Sequence, residues 1–342
     1  MGFGQAAAEL RRGVSVAAWM LFYFLIGLAG TWLARRYALS RNLLDQPDER
    51  RSHAVPTPRG GGIAIVAALL LAGTWCLPHA GIALPMLVAF LVGLLLVAAV
   101  GLADDHRPLS PWLRLAVHIV AAGLLALGAW LSWGQVLLAA AAFALALVLT
   151  NVWNFMDGID GIASSQAALV AAVVAWAAPG PWQPLALALL AATMGFLPFN
   201  FPRARVFLGD VGSGALGFTL ASLLIGTISQ TPRAWGIWML PLSAFLLDAG
   251  LTLLGRLHRG EAWWRPHRLH AYQQWARMSG SHVPVTLGYA AWTVLALLLL
   301  LAMRGTSPLL MTLSCVAWYM TGAGVWWMLQ RKKVAAGMEN ME

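Results

Sequence analysis

Eleven long, uninterrupted apolar segments leave this chain few folds to adopt. A segment lying in lipid must satisfy its backbone hydrogen bonds internally, which restricts it to a helix or to a closed β-barrel. Barrel strands alternate in polarity over ~10 residues, whereas these runs are continuous. Bounded by Gly, Pro and charge, they are Val14–Ala34, Gly62–Leu77, Leu84–Ala103, Leu113–Trp130, Gln135–Val152, Ile162–Ala178, Trp182–Phe199, Val211–Ile228, Trp235–Leu254, Val283–Met303 and Leu309–Leu329. The expected fold class is all-α: a polytopic integral membrane protein with about eleven transmembrane helices. With 60% of the 342 residues hydrophobic and 10% charged, short connections account for the remainder. One transmembrane domain over 1–342 is expected, its site carried on connections at about 35–61, 104–112, 153–161, 200–210 and 255–282, with a tail at 330–342. Cys76 and Cys315 lie in apolar segments and read as small hydrophobes. Although the first segment follows Arg11 and Arg12 as a signal peptide would, it has no A-x-A exit and reads as a retained helix.

The chain carries 22 Lys+Arg against 13 Asp+Glu, a surplus that suits either nucleic acid or a membrane topology. Placement decides for topology. Eighteen cations fall in alternate connections and the C-terminal end, while Arg11, Arg12, Arg233 and Arg304 fall on the other side. The rich side is cytoplasmic by the positive-inside rule, which puts the N-terminus in the periplasm and the C-terminus in the cytoplasm of an inner-membrane protein, with no nucleic-acid partner. The acids are more one-sided still, since Glu9 alone lies outside. Acids carry little topological weight, so their gathering on one face needs a chemical cause. Trp75, Trp130, Trp133, Trp182 and Trp235 sit near the outer helix ends and read as interfacial anchors.

Asp104 and Asp105 follow directly on the third segment. Adjacent carboxylates at a helix end repel each other, so they call for a cation or a proton, whether a divalent metal or a neighbour such as Arg107 or Arg114. In NVWNFMDGIDGIA, Asp157 and Asp160 are three residues apart, as are Asn154 and Asp157, with Gly158 and Gly161 letting backbone approach a ligand. Asp210, in FLGDVGSG, sets a hard metal ligand at a Gly-rich helix start whose N–H groups suit phosphate, which together fit a magnesium diphosphate. Asn200 and Phe207 stand nearby as an amide reader and a stacking ring. In RPHRLHAYQ, His267, Arg268 and His270 suit an anion better than zinc, because no third soft ligand is near and Arg268 would repel a cation. The first inner connection offers Arg50, Arg51, His53 and Arg59 among Pro and Gly; these read either as anion ligands or as positive-inside decoration. Asp248, alone inside an apolar run, is read as functional or as the ion-pair partner of Arg256.

Together these blocks resemble the polyprenyl-phosphate N-acetylhexosamine-1-phosphate transferase family, from about Asp45 to Tyr272 and in the family's order of motifs. The resemblance implies a UDP-N-acetylamino sugar as donor, undecaprenyl phosphate as acceptor, Mg2+ (with Mn2+ as its substitute) as cofactor, the bilayer as setting, and a homodimer among the expected assemblies. It implies Asp210 as the magnesium ligand, with Asp104 as a second. Asp104, Asp105, Asp157, His267 and His270 would be catalytic, and Asn154, Asp160, Asn200, Phe207, Gly209, Arg268, Arg59 and Arg114 would bind substrate. H-R-x-H replaces the run of consecutive histidines of the muramoyl-pentapeptide enzymes, which looks like the O-antigen and surface-polysaccharide initiating branch. Direct attack by the lipid phosphate is the expected mechanism, with a covalent Asp-phosphosugar as the alternative. Two other functions stay open: muramoyl-pentapeptide transfer, and transport of a nucleotide sugar or lipid-linked sugar. The one-sided polar groups disfavour a transporter, whose site would lie near the midplane.

Overall fold

The computed structural model describes residues 15–46, 55–178, 180–262, 264 and 267–339. The long helices are α1 (Val16–Ser40), α2 (Ile63–His79), α3 (Leu84–His106), α4 (Pro111–Trp133), α5 (Val136–Met156), α6 (Ile162–Ala177), α7 (Gln183–Asn200), α8 (Gly209–Gln230), α9 (Ser243–His258), α11 (Val283–Met303) and α12 (Pro308–Glu339). A short α10 (Ala271–Ser279) lies in the last large connection, and a 3-10 helix, Pro232–Leu242, runs directly into α9. Among the described residues nine spans are long and apolar enough to cross a membrane, one of them the joined segment Trp235–His258, and the shorter apolar helices α2 and α6 accompany them. This is the expected all-α polytopic membrane architecture.

Local chemistry sets the ends of these helices. The Ser110 hydroxyl accepts from the Trp112 N–H at 3.3 Å, and Pro111 stands at the first helical position of α4, where its missing N–H costs nothing. Gly134, at φ 66°, closes the same helix in the left-handed conformation. Several features differ from the sequence expectation. Helix α1 continues past Ala34 to Ser40, and α12 runs on through the expected tail to Glu339, because charged residues that mark the edge of lipid do not interrupt helical hydrogen bonding. The first inner connection contains a two-stranded antiparallel ribbon that pairs Leu44 with Pro58 and Asp45 with Thr57.

Helix α8 is the hub. It packs against α2, α3, α5 and α6, and its apolar window is entirely buried. Lipid tails are as apolar as Leu, so close packing of small residues, rather than exclusion from water, must hold such a hub. Gly101 of α3 illustrates this, for a Cβ there would lie 2.5 Å from the Asp210 carbonyl and the Val211 nitrogen. Trp182 departs from the anchor reading: it is 2% exposed, packed edge-on against Phe90. Trp75, Trp130 and Trp235 are exposed.

Five alternate connections join into one hydrogen-bonded layer. Gly61 and Gly62 donate to the Phe207 and Leu208 carbonyls at 2.9 and 2.8 Å, and the Phe207 N–H donates to Pro58 at 2.8 Å. Gly161 donates to Asn200 at 3.1 Å, Ala204 donates to Asp160 at 3.2 Å, and His282 lies against Asp160. Asp105 of the α3 end ties α8 to the same layer. The site residues expected from sequence therefore meet at one end of the bundle.

Candidate active site

Asp105 is 7% exposed, and its carboxylate accepts from the Asp210 and Val211 N–H groups at 3.0 and 3.2 Å. It caps the start of α8 from a neighbouring helix and so sets the backbone that carries Asp210. Gly209 makes this possible: its φ is 76°, and a Cβ there would lie 2.5 Å from Asp105 Oδ2. Arg59 pairs with Asp45 across the ribbon and brings a second nitrogen to 4.0 Å from Asp105. Asp104 turns elsewhere, accepting from the Leu109 N–H at 2.7 Å and from Arg114 at 3.3 Å. The same Arg114 Nη1 donates to Asp210 at 2.5 Å. Two carboxylates from α3 and α8 thus converge on one cationic nitrogen from α4. The pairing of Asp104 with Arg114 is the one foreseen as an alternative to a metal.

The NxxDGxDG block lies alongside. Asn154 donates to the Ser213 hydroxyl at 3.1 Å, joining α5 to α8. Asp157 caps the end of α5, and its carboxyl is held well above the ordinary carboxylate range, chiefly by desolvation and then by the charges of Asp210, Asp105 and Asp160. Asp160 lies 3.3 Å from His282 Nδ1 and accepts the Ala204 N–H. Asn200 is 3% exposed and held by three hydrogen bonds: its oxygen accepts from Gly161 and from Ser164 at 2.9 Å, and its amide donates to the Val206 carbonyl at 3.2 Å. The geometry gives it the work of fastening two loops together. Gly158 and Gly161 likewise admit Tyr272 and Phe201 in place of a ligand.

A cavity of about 470 Å3 opens beside these groups, walled by α3, α4, α5, α8, α9 and the segment before α10. Arg114, Asn154, Asp210, His267 and His270 line it together, so the histidine loop shares a cavity with Asp210 and with the Asn of the NxxDGxDG block. His267 and His270 lie ring to ring at 4.8 Å. His267 is pushed down to about 4, by desolvation first and then by the electrostatic influence of His270 and Arg256, and its Nδ1 accepts from the Leu269 N–H at 3.3 Å. The Arg268 carbonyl accepts from Gln274 at 2.5 Å. Arg50, Arg51 and His53 lie outside the described residues.

Asp248 is not the partner of Arg256, which donates to Glu261 at 2.9 Å and to the Ala262 carbonyl. Its oxygens accept from the Ala271 and Tyr272 N–H groups at 2.7 and 3.0 Å and from the Tyr289 hydroxyl at 2.7 Å, with His270 Nδ1 at 3.7 Å. It caps α10 from α9 and so holds the histidine segment in place. Sequence reasoning passed over His118, Ser213 and His282. The signal for His118 was its spacing, four residues after Arg114 and thus on the same helix face.

A family model described as glycosyl transferase family 4 matches residues 87–228, from α3 to α8. A phospho-N-acetylmuramoyl-pentapeptide-transferase of Moorella thermoacetica is 32% identical over 61% of this chain and 75% of that protein. The chain belongs to glycosyl transferase family 4. Within this family it is also similar to a decaprenyl-phosphate N-acetylglucosaminephosphotransferase of Mycobacterium leprae, 28% identical over 82% of this chain and 80% of that protein. A probable undecaprenyl-phosphate N-acetylglucosaminyl 1-phosphate transferase of Bacillus subtilis is 26% identical over 79% and 80%. The family match contains Asp104, Asp105, Asp157, Asp160 and Asp210.

Proposed function

We propose that this family 4 protein is an inner-membrane enzyme that transfers an N-acetylamino-sugar 1-phosphate from a UDP-sugar to undecaprenyl phosphate, releasing UMP, to begin a surface polysaccharide such as O-antigen. The observation that carries the reading is the shared cavity. It sets Arg114, Asp210, Asn154 and two histidines at its polar end, and Leu115, Val148 and Leu253 along its walls, which suits a phosphate on an isoprenoid chain. The names of the mycobacterial and Bacillus relatives support a polyprenyl phosphate acceptor and an N-acetylglucosamine phosphate donor group.

The acceptor's phosphate has a second pKa near ~6, so at neutral pH it is mostly a dianion and already nucleophilic. One of its oxygens attacks the sugar-bearing phosphorus of the donor; that P–O bond forms as the bond to UMP breaks. The protein's task is to align two anions and neutralise them. Arg114 lines the cavity where it can hold the incoming phosphate, and His267 and His270 line the same cavity. Asp104 and Asp210 direct carboxylate oxygens at Arg114 Nη1; Mg2+ or Mn2+, which bind through one or two carboxylates plus substrate phosphates, would take this hard-oxygen pair in exchange for Arg114, freeing the guanidinium for the incoming phosphate. Bound there, the ion would supply charge neutralisation for the diphosphate. Among the described residues no group of three or more His, Cys, Asp or Glu is placed to hold a metal ion. Asp105 acts as a positioning residue for Asp210.

The Moorella relative favours a second reading, muramoyl-pentapeptide transfer. Purified protein in detergent, given undecaprenyl phosphate and magnesium, is expected to release UMP from a UDP-N-acetylhexosamine. Release only from UDP-N-acetylmuramoyl-pentapeptide would favour the second reading, and no release from any donor would refute both.

A further inference from the structure

His118 is 8% exposed in α4, one turn beyond Arg114 and deeper in the bundle, and it lines the same cavity. Its Nδ1 lies 3.3 Å from the Asn151 side-chain oxygen. Asn151 is itself held by its helix, its amide nitrogen donating to the Leu147 carbonyl at 2.7 Å. Reversing that amide would set its oxygen against the carbonyl, so the Asn151 oxygen faces His118 and must receive a proton from Nδ1. The ring is then the Nδ1–H tautomer, and Nε2 is left as a bare acceptor. Residues one turn apart on a helix face are ~5–6 Å apart at Cβ, so an anion held by Arg114 lies within reach of the His118 ring. The charged and titratable groups around it are Arg114 on its own helix, Asp210 on α8, and His267 and His270 in the same cavity, while α3 and α9 contribute the apolar Val100, Ala249 and Leu253.

We propose that His118 Nε2 accepts the acidic proton of the acceptor's monoester phosphate, so that the monoanion as well as the dianion can react. This rests on the transferase reading above. The phosphate O–H bond breaks and an N–H bond forms, leaving a dianion beside an imidazolium; the dianion then forms its bond to the donor's phosphorus. The proton passes from Nε2 to the departing UMP phosphate, which restores the neutral ring.

The test compares wild type, His118→Gln and Asn151→Ser, as full-length protein in detergent, for kcat against pH. Below the phosphate pKa of ~6 the dianion fraction falls about tenfold by pH 5, and without His118 turnover should follow that fraction. The ratio of wild-type to His118→Gln kcat should therefore rise about tenfold from pH 8 to pH 5, with part of that rise in Asn151→Ser, where the tautomer is no longer fixed. A loss by the same factor at every pH, or one confined to the KM of the nucleotide sugar, would overturn the proposal. Phosphorus NMR of bound farnesyl phosphate gives a readout free of turnover. At pH 5.5 wild type should show the dianion signature and His118→Gln the monoanion, with Asn151→Ser between them; identical spectra would also overturn it. Absence of turnover in wild type with every donor would sink the transferase reading while leaving the NMR comparison to decide His118, and Asn151→Ser decides it if His118→Gln does not fold.

Discussion

Neighbouring side chains on a helix point ~100° apart, and Asp104 and Asp105 show what that separation does. One carboxylate meets Arg114 beside Asp210; the other is consumed by two backbone N–H groups of α8. Asp105→Ala leaves those donors without their acceptor, at about 1–3 kcal/mol, and should lower the thermal unfolding midpoint as well as kcat. Asp104→Ala removes the acceptor of one backbone N–H, that of Leu109, instead of two, so it should lower kcat with a smaller fall in the midpoint than Asp105→Ala; equal midpoints for the two variants would contradict the division. Asp210→Asn should cost several orders of magnitude in kcat with folding intact, and near-normal turnover at ordinary magnesium would remove Asp210 from the site. His267 gives a pH prediction. An ordinary histidine titrates near ~6.5, but this one is held to about 4, so between those values the folded state binds fewer protons than the unfolded chain. Its contribution to stability is present above ~6.5 and is lost as pH falls toward 4. His267→Asn should flatten that part of the acid loss, as measured by unfolding midpoints at pH 7 and pH 5; parallel slopes would count against it.

At the scale of elements, α8 is a buried hub whose first turn carries Asp210, and its placement depends on contacts that only small residues allow. A methyl group at Gly101 would press on the Asp210 carbonyl and the Val211 nitrogen, backbone atoms that cannot move without the helix. Gly101→Ala is expected to lower both the unfolding midpoint and the activity, with a larger fractional loss of activity because Asp210 shifts first. A variant with unchanged kcat would show that α8 tolerates displacement. The short α10 is capped in the same way, by Asp248 from α9. In both cases a carboxylate on one helix orients the start of another, and the functional side chains sit at the oriented ends.

For the whole molecule, the five alternate connections that carry the motifs share one hydrogen-bonded layer, so all the chemistry lies at one end of the bundle. The eleven crossings expected from the sequence, with that end in the cytoplasm, would place the C-terminus inside as well. A C-terminal green fluorescent protein fusion should be fluorescent, and alkaline phosphatase inserted at Thr306, in the opposite connection, should be active. The reverse pattern would invert the orientation and put the cavity on the side without UDP-sugars.

The all-α polytopic architecture and its apolar segments were legible in the sequence, because membrane insertion is set by local hydropathy. The acidic motifs were legible too, since unpaired acids at the ends of apolar helices are too costly to be incidental. Tertiary structure alone decided what each member does. The burial of Trp182, the capping duties of Asp105 and Asp248, and the hydrogen bonds of Asn200 all depend on which backbone donors and side chains another helix brings within about 3 Å. His118 escaped notice for the same reason. In an apolar run one imidazole looks like tolerated polarity, and only the packing of α4 against α5 supplies the amide that holds its proton on Nδ1.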